Sequence, residues 1–189
     1  LAAIWLGDPE CGIAFLDIST GEFFAAQGSI EYTDKLLQSF RPSEVLVSKA
    51  HLKRFREQVD NKVYTFPLDE WVFQRQYTYD LLLGHFSTQS LKGFGLEDLH
   101  AATIPAGAIL HYLKDTAHTD LGHISNLQRI VPDGFLWMDR FTIRNLELLG
   151  SGDEKGVNLL QAIDRTQSPM GARMMKRWLL FPLADISRI

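Results

Sequence analysis

Leu1-Ala2-Ala3-Ile4-Trp5-Leu6 and Gly12-Ile13-Ala14-Phe15-Leu16-Asp17-Ile18, joined through Gly7-Asp8-Pro9-Glu10 and continued by Ser19-Thr20-Gly21 into Glu22-Phe23-Phe24-Ala25-Ala26, decide the fold class. Three apolar runs punctuated by turn-forming Gly, Pro, Asp and Ser predict three consecutive strands in an antiparallel meander. Outward from there, Leu36, Leu37 and Phe40 fall at helical spacing within 30–40, and Arg41-Pro42 stops the pattern. Val45-Leu46-Val47 is short, β-branched and without polar alternation, as a central strand covered on both faces should be. A short helix over 51–59 and a strand Val63-Tyr64-Thr65-Phe66 ending before Pro67 complete an α/β layer pattern.

Beyond Asp69 the pattern turns helical. Trp71, Tyr77, Leu81, Leu82 and Phe86 predict a helix over 69–86, and Gly93-Phe94-Gly95 breaks the run. Pro105 suits the first turn of a helix reaching about Ala117, with Ala106, Ile109, Leu110 and Leu113 on one face. Residues 119–156 shift in composition, with turn signals at Pro132-Asp133-Gly134 and Gly150-Ser151-Gly152-Asp153. A boundary belongs near 120–128, so the expected domains are 1–122 and 123–189. Past Gly156 everything reads as helix: 157–165, then 169–180 with Ser168 as N-cap and Pro169 at the first helical position.

The 189 residues are 46% hydrophobic and 22% charged, the balance of an ordinary globular protein, and can hold one well-buried domain plus part of another. A net charge of −4 argues against a dedicated electrostatic nucleic-acid module, which needs a clustered excess of Lys and Arg. The lone Cys11 excludes an internal disulfide and a Cys-based metal site, which fits a reducing cytoplasm. No apolar run approaches the ~20 residues that span a bilayer, and no signal-peptide pattern opens the chain. The chain begins without an initiator Met, and the helices of 157–183 carry apolar faces suited to something larger than themselves. A piece of a longer soluble polypeptide is therefore expected.

Three separated stretches carry a family resemblance. They are Gly12-Ile-Ala-Phe-Leu-Asp-Ile-Ser-Thr-Gly-Glu-Phe23, then Met138-Asp-Arg-Phe-Thr-Ile-Arg-Asn-Leu-Glu-Leu148, then Asn158-Leu-Leu-Gln-Ala-Ile-Asp-Arg-Thr166 with Ser168-Pro-Met-Gly-Ala-Arg-Met-Met-Lys-Arg-Trp-Leu-Leu-Phe-Pro-Leu183. In this order and spacing the chain resembles the bacterial MutS mismatch-repair proteins over essentially its whole length. The resemblance implies an RNase H-like connector domain, a mixed sheet flanked by helices, followed by the helical start of the core or lever domain. It also implies a parent protein, acting as a homodimer on mismatched DNA, whose ATP- and Mg-binding machinery lies outside these residues. No Gly-x-x-x-x-Gly-Lys-Ser/Thr occurs in the sequence, so backbone amides and a lysine cannot converge on nucleotide phosphates in that manner. The letters Phe55-Arg56-Glu57 match the family's mismatch-reading Phe-x-Glu motif, but they sit in a charged, helical stretch and carry no weight.

Several groups of side chains invite a chemical reading, each beside a plainer one. Asp17-Ile18-Ser19-Thr20-Gly21 resembles the phosphate-binding hairpin of actin-like ATPases, where a strand-end Asp holds Mg²⁺ through water; the plainer reading is a β-turn. An RNase H-like sheet also raises metal-dependent nuclease or phosphotransferase activity centred on Asp17, yet two-metal cleavage needs several converging carboxylates, and Val45-Leu46-Val47-Ser48 ends without one. A catalytically inert fold reused as a scaffold is expected. His111, Asp115 and His118, at i, i+4 and i+7 with His123 nearby, have zinc-like spacing or form a solvated helix face. Cys11 sits in a turn without a recognisable His partner.

Arg173, Lys176 and Arg177 form a basic stripe on the last long helix, and Met170, Met174 and Trp178 an apolar one, with Met175 near it. Phosphate contact is one reading of the cations. An amphipathic helix packed by its Met and Trp side against other domains is the expected one. Trp71, Phe73, Tyr77 and Tyr79 spread around a helix, so some rings should remain exposed. The resemblance implies that the connector receives MutL, and Tyr77, Asp80 and Leu81 are the candidate contact. The expectation is a non-catalytic coupling and docking piece, with no metal or cofactor of its own and no direct grip on DNA.

Overall fold

The computed structural model describes residues 1–59, 63–116, 121–131, 136, 138, 140–150 and 156–188. The turn expected at Pro132-Asp133-Gly134, most of that at 150–153, and His118 lie outside these residues. Contacts divide the chain into two compact units, Leu1–Leu37 with Arg41–Ile130, and Gln38–Phe40 with Val131–Ile189.

In the first unit the meander forms as expected: β1 (Ala2–Trp5), β2 (Cys11–Asp17) and β3 (Glu22–Gly28) pair antiparallel in sequence order. Helix α1 (Ile30–Phe40), capped by Ser29 Oγ accepting from the Tyr32 amide, carries the chain to β4 (Val45–Ser48), which pairs parallel with β1. All four β4 residues are buried. After α2 (Leu52–Gln58), β5 (Thr65–Leu68) pairs parallel with β4 as an edge strand. Among the described residues the sheet has six strands in the order β5-β4-β1-β2-β3-β6, where β6 (Gln128–Arg129) lies parallel to β3. Strands β1 to β5 have the RNase H-like arrangement.

Four sequence expectations need correction. The strand before Pro67 runs through it, because a proline's missing N–H costs nothing on the free side of an edge strand. The single helix over 69–86 is a 3-10 turn, Glu70–Phe73, an extended Gln74, and then α3 (Arg75–Phe86). Helix α4 (His100–Thr116) begins five residues before Pro105, not at it. Finally, β6 was not anticipated, since a two-residue strand carries no periodicity to read.

The reason α4 tolerates an interior proline is also the reason the unit packs tightly. Pro105 has no N–H for the carbonyl of Ala101 four residues back. That carbonyl lies against Gly12 of β2, where a Cβ would stand 1.6 Å from its oxygen. At the same end, Gln27 Oε1 accepts from the Ala102 amide at 3.3 Å, a cap supplied from β3. The sheet face beneath α4 carries the small row Ala3, Ala14 and Ala25, in register across three strands. On its other side, α4 meets α3 at Gly107, where a Cβ would lie 2.4 Å from the Thr78 Cβ. Helix α4 is thus enclosed, with every residue from Ala101 to Leu110 buried, rather than presenting one apolar face.

The second unit is helical: α5 (Arg140–Asn145), α6 (Leu159–Ile163) and α7 (Pro169–Leu180). Asn158 and Gln161 form a reciprocal capping box at α6, and Ser168 Oγ accepts from the Gly171 amide with Pro169 in the first turn of α7. Among the described residues its buried cluster comprises Ile143, Leu148, Leu180 and Phe181, with Phe40 packed against Phe181 at 4.9 Å between ring centroids and 40° between ring planes.

Candidate functional site

The most distinctive surface of the first unit is aromatic. The 3-10 turn projects Trp71, the first turn of α3 supplies Tyr77, and α4 supplies His111. Their rings form an edge-to-face triad, with centroids 5.1 Å apart for Trp71–Tyr77 and Trp71–His111 and 5.8 Å for Tyr77–His111. Tyr77 Oη lies 2.8 Å from His111 Nδ1. Burial, then the carboxylate of Asp115, pushes the Tyr77 phenol above its ordinary value, so the ring stays neutral and its hydroxyl can donate. Trp71 remains 48% exposed, a large apolar ring held rigidly at the surface.

The candidate contact residues of α3 divide by role. Tyr77 is half-buried in the triad. Asp80 is exposed and accepts from Gln76 Nε2 at 2.9 Å, one turn back. Leu81 is only partly available, because it packs on the core beside Leu82. Of the other rings, Phe73 is buried, and Tyr79 donates to the Glu97 carboxylate that also takes the Leu91 amide, which makes it a brace for the loop after α3. Sequence reasoning grouped the four aromatics on one helix and missed His111 as the partner of Tyr77. Only the packing of α3 on α4 brings those two together.

The other chemical candidates resolve into structural roles. Asp17 Oδ1 accepts from the amides of Ser19 and Thr20, and the Gly21 amide donates to the Asp17 carbonyl, so the carboxylate braces the turn that its own backbone closes. His123 Nε2 donates to the Ile18 carbonyl at 2.8 Å while His111 faces Tyr77, so these two imidazoles serve different contacts. Among the described residues no three His, Cys, Asp or Glu side chains converge as metal ligands. Cys11 is buried, and that burial pushes its thiol up, opposite to what a nucleophile needs. On α7, Met170 and Trp178 are 54% and 64% exposed, Met174 and Met175 are half-buried, and Arg173 is exposed. No described helix is long and apolar enough to cross a membrane.

Residues 1–125 match the family model described as MutS domain II, and residues 141–189 that of MutS domain III. The chain belongs to the MutS family. It is 50% identical over all 189 residues to the DNA mismatch repair protein MutS of Parabacteroides distasonis and equally to that of Flavobacterium johnsoniae, covering 22% of each. Against the MutS of Phocaeicola vulgatus it is 51% identical over 185 residues, 98% of this chain and 21% of that protein. The chain therefore spans about a fifth of the length of the MutS proteins it matches. The domain II match falls on the unit that carries the aromatic triad.

Proposed function

We propose that this chain is the connector and the start of the lever of a MutS-type mismatch-repair ATPase, working as a non-catalytic coupling piece that also offers a docking surface to MutL. The observation that carries the reading is the match of residues 1–125 and 141–189 to MutS domains II and III in order, on a fold whose Asp17 carboxylate is held by its own turn. Coupling needs a stiff body, and the enclosed α4 between sheet and α3 is suited to that. Nucleotide hydrolysis and the grip on mismatched DNA are assigned to the remainder of such a protein. The apolar stripe Met170, Met174 and Trp178 is assigned to packing against its other domains.

The docking surface is the start of α3, with Tyr77, Asp80 and Leu81 joined by Trp71. Rigid, half-exposed Trp and Tyr rings are the residues that dominate interface energetics. Purified MutL should be retained by the immobilised chain, and Trp71→Ala or Tyr77→Ala should weaken it at least about 30-fold, the loss expected of a hot-spot aromatic. Asp80→Arg should weaken it less, while Leu81→Ala should act mainly through stability. Full retention by both aromatic variants would move the site elsewhere. A parallel incubation with Mg²⁺ or Mn²⁺ and labelled oligonucleotide or ATP should give no turnover, and Asp17→Asn should change nothing.

A further inference from the structure

Sharing Trp71 with the aromatic triad is a cavity of about 360 Å³ lined by Trp5, Ser48, His51, Glu70, Trp71, Phe73 and Gln74. It sits at the carboxyl ends of the parallel neighbours β1 and β4, where Ile4 pairs with Val47 and Trp5 and Ser48 come next. The ends of parallel strands are where open α/β sheets place ligands. Two of the lining residues hold polar atoms that the fold leaves unused. Ser48 is 1% exposed and its Oγ has no hydrogen-bond partner, and the same holds for the buried Nδ1 of His51. Buried polar atoms of this kind are normally satisfied, and leaving them unmet is costly unless something else supplies the bond.

The chemistry of the lining selects the ligand. Three aromatic rings supply apolar walls and π faces. Apart from the indole N–H groups of Trp5 and Trp71, which only donate, the polar groups can accept: the Ser48 hydroxyl, His51 Nδ1 in its unprotonated form, the Gln74 carbonyl, and the Glu70 carboxylate, which can only accept. None of the lining residues is a lysine or an arginine. The nearest basic side chains along the chain are already engaged, Lys49 with Asp69 and Arg75 with His100 Nε2 at 2.7 Å. An acceptor-rich, aromatic-walled, net negative cavity suits a flat donor-only cation. Phosphate finds no donor charge here, and a nucleobase would set its own acceptors against a carboxylate.

We propose that this cavity binds the guanidinium of an arginine side chain presented by a partner polypeptide, stacked on Trp71 or Trp5 and paired with Glu70, its inner N–H groups reaching Ser48 and His51. The site shares Trp71 with the α3 surface assigned to MutL but otherwise uses other residues, and it stands whether or not MutL binds there.

The test is a titration of the chain with N-acetyl-arginine-methylamide and with a short arginine-bearing peptide, followed by the indole N–H resonances in ¹H–¹⁵N spectra. Trp5 and Trp71 should shift saturably, while Trp178 in the second unit serves as the internal reference. The citrulline analogue keeps the shape but loses the charge and should bind at least about fivefold more weakly. Glu70→Gln should weaken arginine binding by a similar factor, and Ser48→Ala should do so with the fold intact by circular dichroism. Should Ser48→Ala unfold the chain, Gln74→Ala at the exposed rim gives the same readout. Equal binding of citrulline, stronger binding of a free nucleoside than of arginine, or no saturable shift up to about 50 mM arginine probe would each overturn the proposal. Loss of MutL retention in Tyr77→Ala with unchanged arginine binding would separate the two sites.

Discussion

The two units of this chain bury apolar surface to different degrees. In the first, Ala2, Ala3, Ile13, Ala14, Val45, Leu46, Leu82 and Ile109 are wholly excluded from water. In the second, the buried apolar side chains among the described residues keep between 6% and 9% of their surface, while Phe141, Val157, Trp178 and Ile186 are each more than 60% exposed. Both units have well-formed helix caps, so local signals are not what separates them. The difference teaches that the first unit closes a core on its own residues. Among its described residues, the second leaves several large apolar side chains uncovered.

The comparison can be broken most sharply at Gly12. Replacing it with Val drives a side chain into the Ala101 carbonyl, which has no give, and should cost about 3 kcal/mol or more in urea unfolding. A loss below ~1 kcal/mol would mean that β2 and α4 are not so close. Next, Leu82→Ala should cost about 3 kcal/mol and Leu180→Ala about 2 kcal/mol, because a looser cluster collapses more readily around the lost methyl groups. Equal losses would place the two cores on a par.

Smaller effects sharpen the contrast. Ser168→Ala removes the cap of α7 and should cost about 1 kcal/mol, read as lost helicity on warming. Cys11 tests the closure of the first unit through its pH dependence. With the thiol raised by burial, its contribution is fully present below the ordinary value of 9.0 and is lost as pH climbs through the higher folded value. Stability should decline across that range, and Cys11→Ala should flatten the slope. Iodoacetamide should label the thiol far faster in urea than in the native chain. Smallest of all, Met170→Ser with Trp178→Ser should change stability by no more than about 0.5 kcal/mol while reducing self-association in analytical ultracentrifugation. A larger destabilisation would show that these side chains pack within the second unit.

Much of the architecture could be read before any coordinate was known, because it is written in local pattern. The meander follows from apolar runs between turn residues, α1 from spacing closed by Arg41-Pro42, β4 from Val45-Leu46-Val47, and α7 from Ser168-Pro169. The site was only half legible. Tyr77, Asp80 and Leu81 were singled out, but Asp80 alone stands free of the packed interior, and Trp71 proved the more exposed ring. His111, whose spacing in the sequence suits either a metal ligand or a solvated helix face, lies against the Tyr77 hydroxyl instead.

By itself the sequence determined which segments become strands and helices, where most of them stop, and the family to which they belong, since periodicity, capping and motif order are properties of neighbouring residues. Only the tertiary structure decided that Pro105 sits inside a helix, that Gly12 and Gly107 admit that helix between sheet and α3, and that Trp5, Ser48, His51 and Trp71 meet around one cavity. Those facts depend on residues as far apart in sequence as Gly12 and Ala101 being pressed together, and close packing leaves no periodic trace along the chain.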